Sequence, residues 1–74
     1  MDFKLKTEFI ELDNLLKVTE LAASAAQARQ YILAGSLKVN GEVETRIRRK
    51  LRAGDSVEFG GHVISIVGKV GDNG

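Results

Sequence analysis

The chain has no cysteine, no proline and one histidine. Without cysteine, neither a disulfide nor a thiolate metal site can staple the fold, which suits a reducing compartment. One histidine supplies too few ligands for zinc, and no metal or cofactor is expected. His62 follows Gly60-Gly61 at the start of a predicted strand, with no orienting partner in sequence that would make it a general base. It is expected at the surface. Gly60-Gly61 lacks the further glycines and following helix of a phosphate loop, so it is assigned to a hairpin turn. With proline absent, the eight glycines must supply the breaks between elements.

Aromatic side chains are also scarce, at 5% of residues. Phe3, Phe9 and Phe59 fit core positions, and Tyr31 fits a core or rim position. Proteins that stack single-stranded bases usually present more rings than this. No apolar run is long enough to cross a bilayer, and MDFKLKTEF lacks the apolar stretch of a secretion signal. A cytoplasmic protein with no membrane partner is expected. Seventy-four residues suffice for one core, expected over residues 1–68, with the glycine-rich residues 69–74 as a flexible tail. A domain this small buries only about 60% of its unfolded surface.

The most informative stretch runs from Ser24 to Gly41, SAAQARQYILAGSLKVNG. Ser24 is placed to cap a helix whose apolar face carries Ala25, Ala28 and Ile32. Gly35 can take the left-handed conformation that ends it. Leu37 and Val39 alternate around Lys38 as a half-buried strand, and Asn40-Gly41 forms a tight turn. Upstream, Phe3, Leu5, Thr7 and Phe9 alternate with polar residues, predicting a strand over 2–9. Leu12, Leu15 and Leu16 then predict a helix over about 12–18, with Glu11 and Asp13 near its start and Lys17 near its end. One continuous helix from Leu12 to Ala34 competes with this pair, against the β-branched Val18-Thr19 and the Ser24 cap. Downstream, Ala53-Gly54-Asp55 is a turn, and Val57 and Phe59 begin a hairpin that returns as HVISIV. The apolar residues of HVISIV do not alternate cleanly, which predicts a well-covered strand.

A net charge of +1 conceals an uneven distribution. Residues 1–23 and 53–74 are each acidic, whereas 24–52 hold Arg29, Lys38, Arg46, Arg48, Arg49, Lys50 and Arg52 against Glu42 and Glu44. Such a field attracts phosphates or acidic surfaces. If Val43–Arg52 is extended, Arg46, Arg48, Lys50 and Arg52 project from one face about 6–7 Å apart, near the phosphate repeat of a nucleic-acid strand. Arginine can grip phosphate bidentately and lysine acts as a point charge. The competing assignment is a solvated face neutralised by Glu42, Glu44 and Glu58.

Together, Ser24, Ala28-Arg29, Ile32, Gly35 and Val39-Asn40-Gly41 resemble the alpha-L RNA-binding motif. This motif occurs in ribosomal small-subunit protein S-four, pseudouridine synthases, tyrosyl-tRNA synthetases and the heat-shock protein that rescues stalled large subunits. Gly54-Asp55 followed by Val57 is similar to the family's closing turn and strand, and the resemblance spans about residues 9–67. The segment Glu44-Thr45-Arg46-x-Arg-x-Lys50-Leu51 looks most like the small stand-alone bacterial members. The resemblance implies an α+β fold, with two short helices packed on a small twisted, mainly antiparallel sheet. It also implies RNA binding by Ser24, Gln27, Arg29 and Lys38. Where relatives often carry basic residues, this chain has Ala25 and Gln30. Arg46, Arg48, Arg49, Lys50 and Arg52 are expected to compensate.

The expectation is therefore a non-catalytic protein that binds structured RNA, rRNA or tRNA, read by shape and backbone. The ribosome or RNA-processing proteins are its expected surroundings. The alternative is a protein-interaction module that docks its basic face on an acidic ribosomal or RNA-processing partner.

Overall fold

The structure, a computed structural model, describes residues 1–68; the tail foreseen over 69–74 lies outside the described residues. The first helix, α1, spans Leu12–Val18, and its three leucines are buried. It ends where the Thr19 hydroxyl donates to the Leu15 carbonyl and Glu20 turns the chain with a φ of 63°. The helices are thus separate, as the Ser24 cap implied. The second, α2, spans Ala25–Leu33. The Ser24 hydroxyl accepts from the Gln27 amide, and the Gln27 side-chain oxygen accepts from the Ala23 amide. Both ends of this bracket satisfy first-turn or preceding amides that would otherwise be unpaired. Gly35, with a φ of 76°, releases the chain into the sheet.

The main sheet contains β1 (Asp2–Lys4), β3 (Leu37–Val39), β4 (Glu42–Val43), β6 (Ser56–Phe59) and β7 (His62–Val67), in the order β1-β7-β6-β3-β4. Only β1 with β7 is a parallel pair; the others are antiparallel. The fold is therefore α+β with a mainly antiparallel sheet. A separate two-stranded ribbon joins β2 (Ile10–Glu11) to β5 (Lys50–Leu51). Leu37, Val39, Val57, Ile64 and Ile66 point inward from the main sheet and share one buried core with Leu12, Leu15, Leu16, Ala28 and Ile32. Burying a side chain such as Ile32 is worth about 1.5–3 kcal/mol. Strand alternation sends the neighbouring side chains to the far face. There Val43, Lys38, Glu58 and Val63 stand side by side across four strands.

Three expectations need correction. The first strand does not run from 2 to 9: β1 stops at Lys4, and residues 6–8 bend before β2. Its partner strand ends opposite Lys4, at Val67, so only the Leu5 amide still finds a β7 carbonyl. Alternation beyond that point has no sheet to serve. The stretch 43–52 is not continuous strand either, because residues 44–49 are irregular between β4 and β5. Finally, β7 is not well covered on both faces. Ile64 and Ile66 are buried, but Val63 is 50% exposed. Its uneven pattern comes from an apolar residue on the open face.

Candidate nucleic-acid interface

The cations of the basic stretch are gathered by a loop rather than a strand. Two backbone contacts give the loop its course: the Leu12 amide donates to the Arg49 carbonyl and the Asp13 amide to the Ile47 carbonyl. The loop's carbonyls therefore satisfy amides at the start of α1. Ile47 packs against the core, which fixes the loop's inner side and leaves its charged side chains outward. The period-2 ladder expected for Arg46, Arg48, Lys50 and Arg52 is absent. Arg46, Arg48, Arg49 and Lys50 line a shallow cleft of about 570 Å³.

Glu44 organises this cluster. Its carboxylate accepts the Thr45 and Arg46 amides, and the Arg46 guanidinium binds it through Nε at 3.0 Å and through a terminal nitrogen at 2.9 Å. Arg49 Nε lies 3.1 Å from the carboxylate oxygen that the Arg46 terminal nitrogen also meets. The Arg46 side-chain hydrogen bond is the main reason that the Glu44 carboxyl is held down to about 2. Burial opposes the shift, and the Arg46 amide and the Arg46 and Arg49 charges reinforce it. Glu44 is thus a neutralising neighbour, as one assignment had it, and also a clamp that aims two arginines. Arg46 and Arg48 keep side-chain exposures of 73% and 77%, so most of their donors face solvent. Arg48 has a looser contact with Glu11, at 3.6 Å. Arg49 differs, with 24% exposure and a position between Glu44 and Asp55.

Asp55 ties the loop to the helix–strand unit. Its carboxylate accepts the Arg52 amide at 2.8 Å and the Asn40 side-chain amide at 3.0 Å. Asn40 in turn accepts from the Ser56 amide. Burial alone would raise the Asp55 carboxyl, but the Arg52 and Asn40 hydrogen bonds, with the Arg49 and Arg52 charges, hold it below its ordinary value. Asn40-Gly41 and Gly54-Asp55, far apart in sequence, are therefore halves of one junction. Asn40 holds the φ of 53° that its turn needs, a conformation asparagine tolerates better than most residues.

Lys50 and Arg52 meet an aromatic ring. The Lys50 ammonium lies 4.9 Å and the Arg52 guanidinium carbon 5.6 Å from the centre of Phe9. Phe9 is half-buried, and its cation contacts correct its expected core role. Tyr31 does sit at the core's rim, 4.8 Å from Phe59 between ring centres.

The structure separates the residues expected on α2 and β3 from the loop in different ways. Ser24 and Gln27 are engaged in capping, although the hydroxyl hydrogen and the Gln27 amide nitrogen are not used by those bonds. Arg29 is exposed on α2. Lys38 projects from the sheet face opposite the helices, directly across from Glu58. Sequence reasoning missed Phe9 and Glu11 as neighbours of the cations, because only the β2–β5 ribbon brings them there. His62 is exposed. Among the described residues, no cluster of His, Cys, Asp and Glu could hold a metal ion, and no helix is long and apolar enough to cross a membrane.

This arrangement has clear relatives. The family model described as S4 domain matches residues 3–67. The "Putative RNA-binding protein YbcJ" of Escherichia coli is 45% identical over 62 residues, covering 84% of this chain and 89% of that protein. The YbcJ of Shigella flexneri, described as uncharacterized, matches to the same extent. The solution structure of the E. coli protein, described as revealing an alpha-L motif involved in RNA binding, superposes with a TM-score of 0.68. That match has 45% identity and covers 89% of this chain and 85% of the other. With a family model across nearly its whole described length and a fold shared at high identity, the chain belongs to the S4-domain family.

Proposed function

We propose that this protein binds structured RNA, rRNA or tRNA, by gripping the phosphate backbone with its basic loop, and performs no reaction on it. The observation that carries this reading is the cleft lined by Arg46, Arg48, Arg49 and Lys50. Four cations converge there on a surface braced from behind by Glu44 and the start of α1. Family membership and the RNA-binding descriptions of YbcJ support the same reading.

Arginine and lysine cations of the cleft would replace condensed counterions on the RNA phosphates, which drives binding through the entropy of release. Glu44 holds Arg46 in a set orientation, so less side-chain freedom is lost when its remaining donors meet phosphate. Arg52 extends the loop's positive field. Ser24, Gln27 and Arg29 offer a second, weaker set of contacts along α2, and Lys38 serves an RNA that reaches round the sheet. Contacts of this kind position the RNA by shape and carry little sequence information.

The test is the salt dependence of affinity for a structured RNA such as a tRNA transcript. With about three phosphates contacted, affinity should fall about 50-fold between roughly 50 and 200 mM monovalent salt. A flat response would overturn the electrostatic grip. Failure to bind at low salt would leave the basic face to an acidic protein.

A further inference from the structure

A second concavity adjoins the cleft. Residues 3–7 and 9–11, with Asn14 and Val18 from the exposed side of α1, line an open groove of about 520 Å³, within the size range of small-ligand sites. Phe3, Phe9 and Val18 contribute apolar surface, Lys4 and Lys6 ammonium groups, and Asn14 an amide. Two of its lining residues, Phe9 and Glu11, contact cations of the basic loop. Glu11 lines the groove, pairs across the ribbon with Lys50, and is 3.6 Å from Arg48. Phe9 lines the groove as well, with Lys50 and Arg52 over its ring.

We propose that the groove receives one unpaired nucleobase of the RNA whose phosphates occupy the cleft, with Phe9 as its stacking surface. This rests on the RNA-binding reading above and adds to it a site for a base.

The chemistry of the two hollows selects this occupant. A nucleotide has an apolar π-face, polar edges and an anionic group a few ångströms from the ring. The groove supplies an aromatic surface and polar side chains, and the adjoining cleft supplies the cations. Lys4 and Lys6 favour an anionic chain entering along the groove, while Arg48 offsets the Glu11 carboxylate that lines it. An acyl chain would leave these ammonium groups unmatched. A base in a regular duplex could not enter, because its faces are stacked on neighbours. The occupant is therefore extrahelical, from a bulge or loop.

The experiment compares two RNA hairpins that differ at one position: a single bulged adenosine or an abasic residue at the same bulge. Charge and backbone are then matched. The native chain should bind the adenosine hairpin about tenfold more tightly, the scale of one base stacked on one aromatic ring. Phe9→Leu retains apolar bulk without the ring and should bring the ratio of the two affinities close to one. Phe9→Trp should preserve it. Because the readout is a ratio, any change in the loop's own grip divides out.

Equal affinities for the two hairpins in the native chain would overturn the inference while leaving the backbone grip intact. The groove would then suit an acidic protein segment. An unchanged ratio in a folded Phe9→Leu variant would also overturn it. Binding to neither hairpin would fell the RNA-binding reading and the inference together.

Discussion

The helix–strand unit from Ser24 to Gly41 and the loop from Glu44 to Arg52 are built on opposite principles. In the first, Ala28, Ile32, Leu37 and Val39 face one core, and Ser24, Gly35 and Asn40 terminate or turn regular elements. In the second, regular structure is nearly absent, and the shape comes from carboxylates: Glu44 holds Arg46 and Arg49, and Asp55 holds the Arg52 amide. The residues that identify the family chiefly build a frame. The residues with the greatest concentration of charge are held in place by that frame, through Asn40 and Asp55 and through carbonyls laid on the start of α1. Scaffold and charge are therefore separable, and substitutions should divide them.

The largest effect is expected in the frame. Ile32 is fully buried, and Ile32→Ala should cost about 3 kcal/mol, from lost burial plus the cavity left behind. Urea unfolding checks this. A loss below 1 kcal/mol would mean that α2 contributes less to the fold than its packing implies. The next effect should fall on binding alone. Arg46→Ala combined with Arg48→Ala should weaken affinity for structured RNA about tenfold, while stability changes by less than about 1 kcal/mol. Filter binding and thermal melting, measured on the same samples, would separate the two quantities. A folded double variant with native affinity would move the grip away from the loop.

The smallest effect concerns the clamp. The Glu44 carboxyl is depressed from its ordinary value of 4.5 to about 2, so its native contacts add stability in full above about pH 4.5. That contribution is lost progressively as pH falls toward 2. It is worth at most about 1 kcal/mol, because Arg46, the main partner, is largely exposed and screened by solvent. Glu44→Gln should be slightly less stable at neutral pH, and the difference from the native chain should shrink across that acidic window. A difference that persists unchanged to pH 2 would assign the effect to packing rather than charge.

Sequence patterns succeeded where a local rule and a core coincide. The three leucines of α1 fall at helical spacing and are all buried, so the predicted span of about 12–18 agrees with Leu12–Val18. Ser24, Gly35 and Asn40-Gly41 mark boundaries through their own side-chain or backbone chemistry, without distant partners. The patterns failed where a partner decides. Alternation over residues 2–9 predicted a strand that extends only as far as β7 can pair with it. Alternating cations over 46–52 predict a ladder, but the Ile47 and Arg49 carbonyls bond amides at the start of α1, and Glu44 takes the Arg46 and Arg49 guanidinium groups. Alternation and hydrophobicity place Phe9 in the core; its position beside Lys50 and Arg52 depends on a ribbon between residues distant in sequence.

By itself the sequence determined the element types around Ser24–Gly41, the family resemblance, and the concentration of positive charge in the middle of the chain. Periodicity, capping and turn chemistry are local, and composition survives any fold. Only the tertiary structure decided how that charge is presented. It set Lys38 on the far side of the sheet, buried much of Arg49 between two carboxylates, and left Arg46 and Arg48 open to solvent. It also placed an aromatic groove against the cationic cleft. Those outcomes depend on long-range pairing and on competition among charges for partners, and neither is encoded at any single position.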